Sequence, residues 1–119
     1  RSAGVGEVVV IGPAPYWDPH LPTAVYDYWS GHGSLPDRLA PARRQDQLAI
    51  DAAMAALVHA EGGRFLSLSD VLCNDDGCLT HTNLARSDLM SWDNGHLTTS
   101  GAQFAASALH LDAIPGVAK

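Results

Sequence analysis

Asp93 and His96 stand two residues apart, with Asn94 and Gly95 between them, just ahead of a stretch rich in helix formers. Spacing of this kind with a glycine inside forms a turn. Such a turn lets the Asp93 carboxylate accept a hydrogen bond from Nδ1 of His96, which fixes the tautomer and leaves Nε2 free. A histidine held that way serves as general base and then general acid, with the aspartate as its orienter. An Asp-x-x-His alone has a plainer reading as well, a solvated turn flanking a helix.

The other reactive side chains are less orderly. No Gly-x-Ser-x-Gly elbow is present. Ser34, in Gly31-His32-Gly33-Ser34, offers a substitute nucleophile whose neighbouring backbone amides form an anion nest. No strand precedes it, as an elbow requires, so an ordinary turn is favoured. Tyr16, Trp17, Tyr26, Tyr28 and Trp29 form a local aromatic group that fits sugar stacking or, more commonly, core packing and cover for a sheet edge. Trp92, beside Asp93, lines an acyl or sugar pocket or anchors the loop; Tyr16 and Trp17 join it as candidate pocket residues. His20, His59, His81 and His110 are scattered, with His59 expected on a helix surface, and no pairing of them suggests a metal. No cofactor is expected.

Cys73 and Cys78 bracket Asn74-Asp75-Asp76-Gly77, a tight turn whose ends lie close enough for a disulfide. A disulfide implies an oxidising compartment; two reduced thiols in a cytosolic domain are the alternative. Zinc would need a second ligand pair, and Asp75-Asp76 lacks the alternating ligand spacing of a calcium loop.

The elements that must position these residues follow from periodicity and punctuation. Glu7 to Ile11 is a continuous, β-branched run closed by Gly12-Pro13, the signature of a buried parallel strand. Pro13, Pro15, Pro19 and Pro22 exclude regular structure after it. The loop therefore lies at the C-terminal end of a strand, where open α/β sheets place ligands. Thr23 to Trp29 supplies one or two helical turns before Gly31, Gly33 and Pro36 break the chain. Pro41 to Glu61 is the clearest helix, with Ile50, Met54, Leu57 and Val58 as its apolar stripe and Gly62-Gly63 as its stop. Arg64 to Leu68 is a second strand, and strand–helix–strand predicts a parallel βαβ unit. Leu79 to Trp92 reads as irregular and polar. Thr98 or Thr99 caps a last helix to about Leu109, with Ala102, Ala105, Ala106 and Leu109 on its packed face. The tail holds Pro115-Gly116.

The chain has 119 residues, enough for a single domain over 1–119 and no second one. Seven Lys and Arg against 13 Asp and Glu give a formal charge of −6, which argues against a nucleic-acid partner. With 46% apolar and 17% charged residues the composition is that of a folded chain. No apolar run approaches the roughly 20 residues that span a membrane. The start at Arg1, without Met or a signal-peptide pattern, reads as a processed product or a fragment of something longer.

Asp93-x-x-His96-Leu97-Thr98-x-x-Gly101-Ala102 resembles the last block of the SGNH (GDSL-like) hydrolases, where an Asp-x-x-His supplies two members of a Ser-His-Asp triad. Val8 to Tyr16 and the Leu72-Cys73…Cys78 loop are similar to the SGNH domains fused to membrane acyltransferase-3 proteins. The resemblance runs from about Val8 to Leu109. It implies an α/β fold, a three-layer α/β/α sandwich with a parallel sheet. It implies an extracytoplasmic hydrolase or O-acyltransferase acting on acylated cell-surface or cell-wall carbohydrate, with an upstream membrane acyltransferase domain as partner. In the resemblance a hydroxyl residue caps the final helix and Gly-Ala packs it on the sheet. The family's Gly-Asp-Ser nucleophile block has no match here, nor have its Gly and Asn oxyanion blocks. The chain thus looks like the C-terminal half of such a domain, with an incomplete sandwich and an exposed sheet edge prone to self-association. Little or no esterase activity is expected of it alone. An inactive carbohydrate-binding domain of the same fold, and an unrelated small α/β module, are the rival readings.

Overall fold

The computed structural model describes residues 6–82 and 88–111; the Pro115-Gly116 tail and the middle of the 79–92 stretch lie outside them. The Val-rich run forms β1 (Val9–Ile11), which pairs in parallel with β3 (Arg64–Leu66) in the register Val9–Arg64, Val10–Phe65, Ile11–Leu66. Between them lie α1 (Leu21–His32), β2 (Arg38–Leu39) and α2 (Arg44–Ala60), which packs on β3. The α/β class and the parallel pairing are as the sequence predicts. Among the described residues β1 pairs with β3 alone, and Val8 and Ile11 remain partly exposed.

Both long helices depart from their predicted limits. α1 starts at Leu21, with Pro22 in its first turn, and runs through Gly31. The prolines do not forbid it, because N–H groups in a first helical turn have no intrahelical acceptor. Gly33, at φ 76°, ends it and donates its N–H to Trp29. α2 starts three residues after Pro41 because the chain at 41–43 is used otherwise: Ala42 bridges Tyr16, and Arg43 turns left-handed at φ 55°. Its predicted stripe is split. Met54 and Val58 are half-buried, whereas Ile50 is exposed and Leu57 is 69% exposed. The buried face is instead polar, built on Gln47 and Asp51.

The second strand is shorter than predicted. Ser67 leaves it to cap α3 (Leu68–Leu72), its Oγ accepting the N–H of Asp70 at 3.1 Å and donating to Asp51 Oδ2 at 2.5 Å. The cysteine loop is a hairpin of β4 (Cys73–Asn74) and β5 (Gly77–Leu79), turning on Asp75-Asp76, with Cys73 bonded to Cys78. β2 extends it into an antiparallel three-stranded sheet that the sequence reading lacks, and Arg38 Nη1 donates to the carbonyls of Leu72 and Gly77. The core is Trp17, Leu21, Val25, Leu68, Leu72, Met90 and Ala105 around this disulfide.

α4 (Thr99–Ala108) is capped by Thr98, as predicted. Its packed face centres on Gly101 and Ala105, and Ala102 is exposed. It rests on α3 and on the chain at Met90. A Cβ on Gly101 would collide with the Met90 carbonyl oxygen and sit 3.1 Å from its Cα. Gly101→Ala is therefore expected to cost about 1–3 kcal/mol, read as a lower urea midpoint at unchanged m-value. Opening the disulfide by Cys73→Ser with Cys78→Ser releases a loop of a few residues and is expected to cost about 2 kcal/mol in the same measurement.

Candidate active site

The site is a short loop closed at its base. Ser91 and Leu97 form an antiparallel bridge, Thr98 N–H donates to the Met90 carbonyl at 3.0 Å, and Thr98 Oγ1 donates to the Leu89 carbonyl at 2.6 Å. The same hydroxyl accepts the Gly101 N–H at 2.9 Å, so one side chain starts α4 and fixes the end of the loop. The five residues from Trp92 to His96 project from this base.

Within the loop the Asp93 carboxylate gathers three donors. Oδ1 accepts the backbone N–H of His96 at 2.7 Å and of Gly95 at 2.9 Å; Oδ2 accepts Nδ1 of His96 at 2.5 Å. The His96 backbone N–H above all, with the Gly95 N–H and the His96 ring, holds the carboxyl down from its ordinary 3.8 to about 2, against an opposing push from desolvation. Nδ1 is thus engaged, and among the described residues nothing hydrogen-bonds Nε2. The His96 side chain is 76% exposed. The Trp92 ring, 60% exposed, lies over the imidazole at 5.5 Å between centroids and 18° from parallel.

A second aspartate–histidine pair provides a contrast. His81 Nε2 meets Asp37 Oδ1 at 2.8 Å, and its Nδ1 meets the Thr82 carbonyl at 2.7 Å. Both ring nitrogens are committed and the side chain is only 10% exposed. His81 is a tie between β2 and the chain after β5, with no nitrogen left to move a proton for a ligand. Its partner is 44 residues away, so sequence spacing carried no signal of it.

The remaining candidates separate. Trp17 is 2% exposed, so its ring belongs to the core and is corrected from pocket to packing residue. Tyr16 is half-buried beneath the Arg43 guanidinium, 4.9 Å from the ring centroid, and its ring borders Gly95. The aromatic group does not cover a sheet edge as a unit: Tyr26 and Trp29 are exposed on α1, and Tyr28 stacks on His32. Ser34 follows the C-terminus of α1 and is exposed; Gly31 and His32 are helical, and the Gly33 N–H is taken by the Trp29 carbonyl. His59 is exposed on α2. Among the described residues no group of three His, Cys, Asp or Glu side chains is arranged to hold a metal ion, and no helix is long and apolar enough to cross a membrane.

Sequence reasoning missed Asn94 and Gln47. Asn94 is hydrogen-bonded to Trp17 through both its backbone carbonyl and its side chain, and Gln47 holds the loop before it. A buried glutamine on an apolar-looking helix and an asparagine in a turn have bland sequence readings. Their partners lie 77 and 33 residues away.

The charge on Asp93 gives a testable consequence. A carboxyl depressed in the folded state contributes stability that is complete above its unfolded pKa and is lost as pH falls through about 2. At pH 3 an ordinary aspartic acid is mostly protonated. The Asp93 Cγ resonance is expected to keep the carboxylate shift at that pH, and protonation by pH 3 would remove the three-donor description.

A family model described as the SGNH domain (fused to AT3 domains) matches residues 1–110. Among solved structures the chain is similar to the lipopolysaccharide acetyltransferase periplasmic domain of Salmonella ser. Paratyphi A, at 25% sequence identity and a TM-score of 0.77 over 89% of this chain. The chain spans 41% of that solved chain. No curated protein sequence matches it. With all but its last residues matched and the parallel strands, disulfide hairpin and capped final helix in place, the chain belongs to the family of SGNH domains fused to AT3 domains.

Proposed function

We propose that this chain carries the base and its orienter for a serine-dependent acyl transfer. One observation carries the reading: Asp93 holds Nδ1 of His96 on a side chain that is 76% exposed, and among the described residues nothing hydrogen-bonds Nε2. Nε2 takes the proton of a serine hydroxyl as that oxygen attacks an acyl carbonyl. The Asp93 carboxylate, kept ionised by its backbone donors, stabilises the imidazolium that forms. The proton then passes from Nε2 to the leaving alkoxide, and an acceptor hydroxyl repeats the sequence in reverse on the acyl-enzyme. Trp92 restrains the imidazole and presents an apolar face to the acyl group or to a sugar ring.

The serine comes, in this reading, from a Gly-Asp-Ser block on another segment of the same domain. The chain's span of 41% of the solved acetyltransferase domain supports that, and residues 1–119 are then part of one domain. The family's fusion to AT3 domains supports a membrane acyltransferase partner. The disulfide fits an extracytoplasmic site such as the periplasm or cell surface. The substrate class is acylated cell-surface carbohydrate, with acetyl as the acyl group suggested by the solved neighbour.

A serine-directed fluorophosphonate tests the reading on the full-length gene product. Labelling is expected, and His96→Ala is expected to slow it by at least about a thousandfold. Equal labelling of the variant would overturn the role of His96. His96-dependent turnover by the 119-residue chain alone would overturn the assignment of the serine to another segment.

A further inference from the structure

Asn94 sits between the two residues of the pair and takes no part in it. Its backbone carbonyl accepts the Trp17 N–H at 2.7 Å, and its side-chain amide donates to the Trp17 carbonyl at 2.5 Å. One residue therefore satisfies both backbone polar groups of Trp17, whose ring is buried in the core. Beside it, the Leu21 N–H at the start of α1 points at the Asp93 carbonyl at 3.4 Å. The Asp–His turn is thus docked on the loop that follows β1.

The other end of that loop is also held. Gln47, buried on α2, donates Nε2–H to the Ala14 carbonyl at 2.7 Å, and its Oε1 accepts the Tyr16 N–H at 3.4 Å. The Ala42 N–H donates to the Tyr16 carbonyl at 2.8 Å. Gln47 thus holds Ala14 and Tyr16 from α2, and the next residue in the chain, Trp17, is bonded to the turn.

The bonds inside the turn are local, all within three residues of Asp93. They make the pair but do not say where it stands. Among the described residues the hydrogen bonds that tie the turn to the strand-loop are those of Asn94 and the long Leu21 bond, with the Tyr16 ring beside Gly95; the bridge at Ser91 and Leu97 closes only the base of the turn. Acyl transfer is sensitive to this placement, because a shift of about 1 Å between base and nucleophile costs on the order of 10²-fold.

We propose that Asn94 is a positioning residue: its grip on Trp17 sets where the Asp93–His96 pair stands at the C-terminal end of β1, and Gln47 braces that grip from α2. The proposal rests on the acyl-transfer reading above. The test uses Asn94→Asp, which keeps the shape and replaces the amide donor by an acceptor, and Asn94→Ala, both in the full-length protein. Fluorophosphonate labelling is expected to fall about 10- to 100-fold in each, with the His96 Nδ1–H tautomer intact by ring ¹⁵N NMR in both and the pH midpoint of labelling unchanged in the uncharged Asn94→Ala. Exchange of the Trp17 amide is expected to accelerate at least about tenfold, while the amides of the β1–β3 ladder keep their protection.

Wild-type labelling rates in both variants would overturn the proposal. So would a shifted pH midpoint in Asn94→Ala or a lost tautomer in either variant, since Asn94 would then be maintaining the pair rather than placing it. If ladder protection is lost, Gln47→Glu takes their place; it too is expected to slow labelling with an unchanged midpoint, and an unchanged rate would overturn the proposal. If the wild-type protein takes no label, the acyl-transfer reading fails and the catalytic role of Asn94 falls with it. Trp17 exchange in Asn94→Asp then still reports whether the clamp exists, so the two failures are distinguishable.

Discussion

The site rests on a single half-buried carboxylate that gathers three donors from its own turn. Asp93 holds two backbone N–H groups with one oxygen and the His96 ring with the other. The backbone bonds make the turn, the turn brings the ring back over the carboxylate, and the ring bond chooses the tautomer. Each step is electrostatic and each is stronger with the carboxylate ionised, which is why the same donors that make the turn lower its pKa. The exposed His96 side chain keeps a defined orientation with little packing around it, helped by the stacked face of Trp92.

A local turn of this kind has no fixed place in a fold until something distant grips it. Here the grip is made with backbone groups of Trp17, in a loop rich in proline whose β pairing among the described residues is the single Tyr16–Ala42 bridge. Such a loop must find acceptors and donors for its main chain elsewhere. Gln47, Ala42 and Asn94 provide them. This explains why α2 turns polar side chains inward. Asp51 and Gln47 are one helical turn apart and serve Ser67 and the loop, respectively, so the sheet face of the helix is partly an anchoring surface.

The apolar core lies away from this anchoring surface, around α3, the hairpin disulfide and the start of α4. The close approach of Gly101 to Met90 joins that core to the base of the site loop. Two cooperative regions thus converge on the same few residues, one through backbone hydrogen bonds at Trp17 and one through the helix cap at Thr98.

What the sequence by itself determined is what depends on near neighbours. The β1 run, the Thr98 cap, the Cys73–Cys78 hairpin and the Asp93–His96 pair each involve residues close in the chain, where spacing fixes distance. The parallel βαβ pairing followed too, because a strand–helix–strand order leaves few arrangements. Tertiary structure alone decided the rest. Trp17 went to the core, the stripe on α2 gave way to Gln47 and Asp51, and His81 found Asp37. Asn94 acquired its grip on the strand-loop in the same way. In each case the deciding partner is a polar group or a cavity tens of residues distant. A side chain's type records what it can bond, but only the packed chain determines which unsatisfied group it meets.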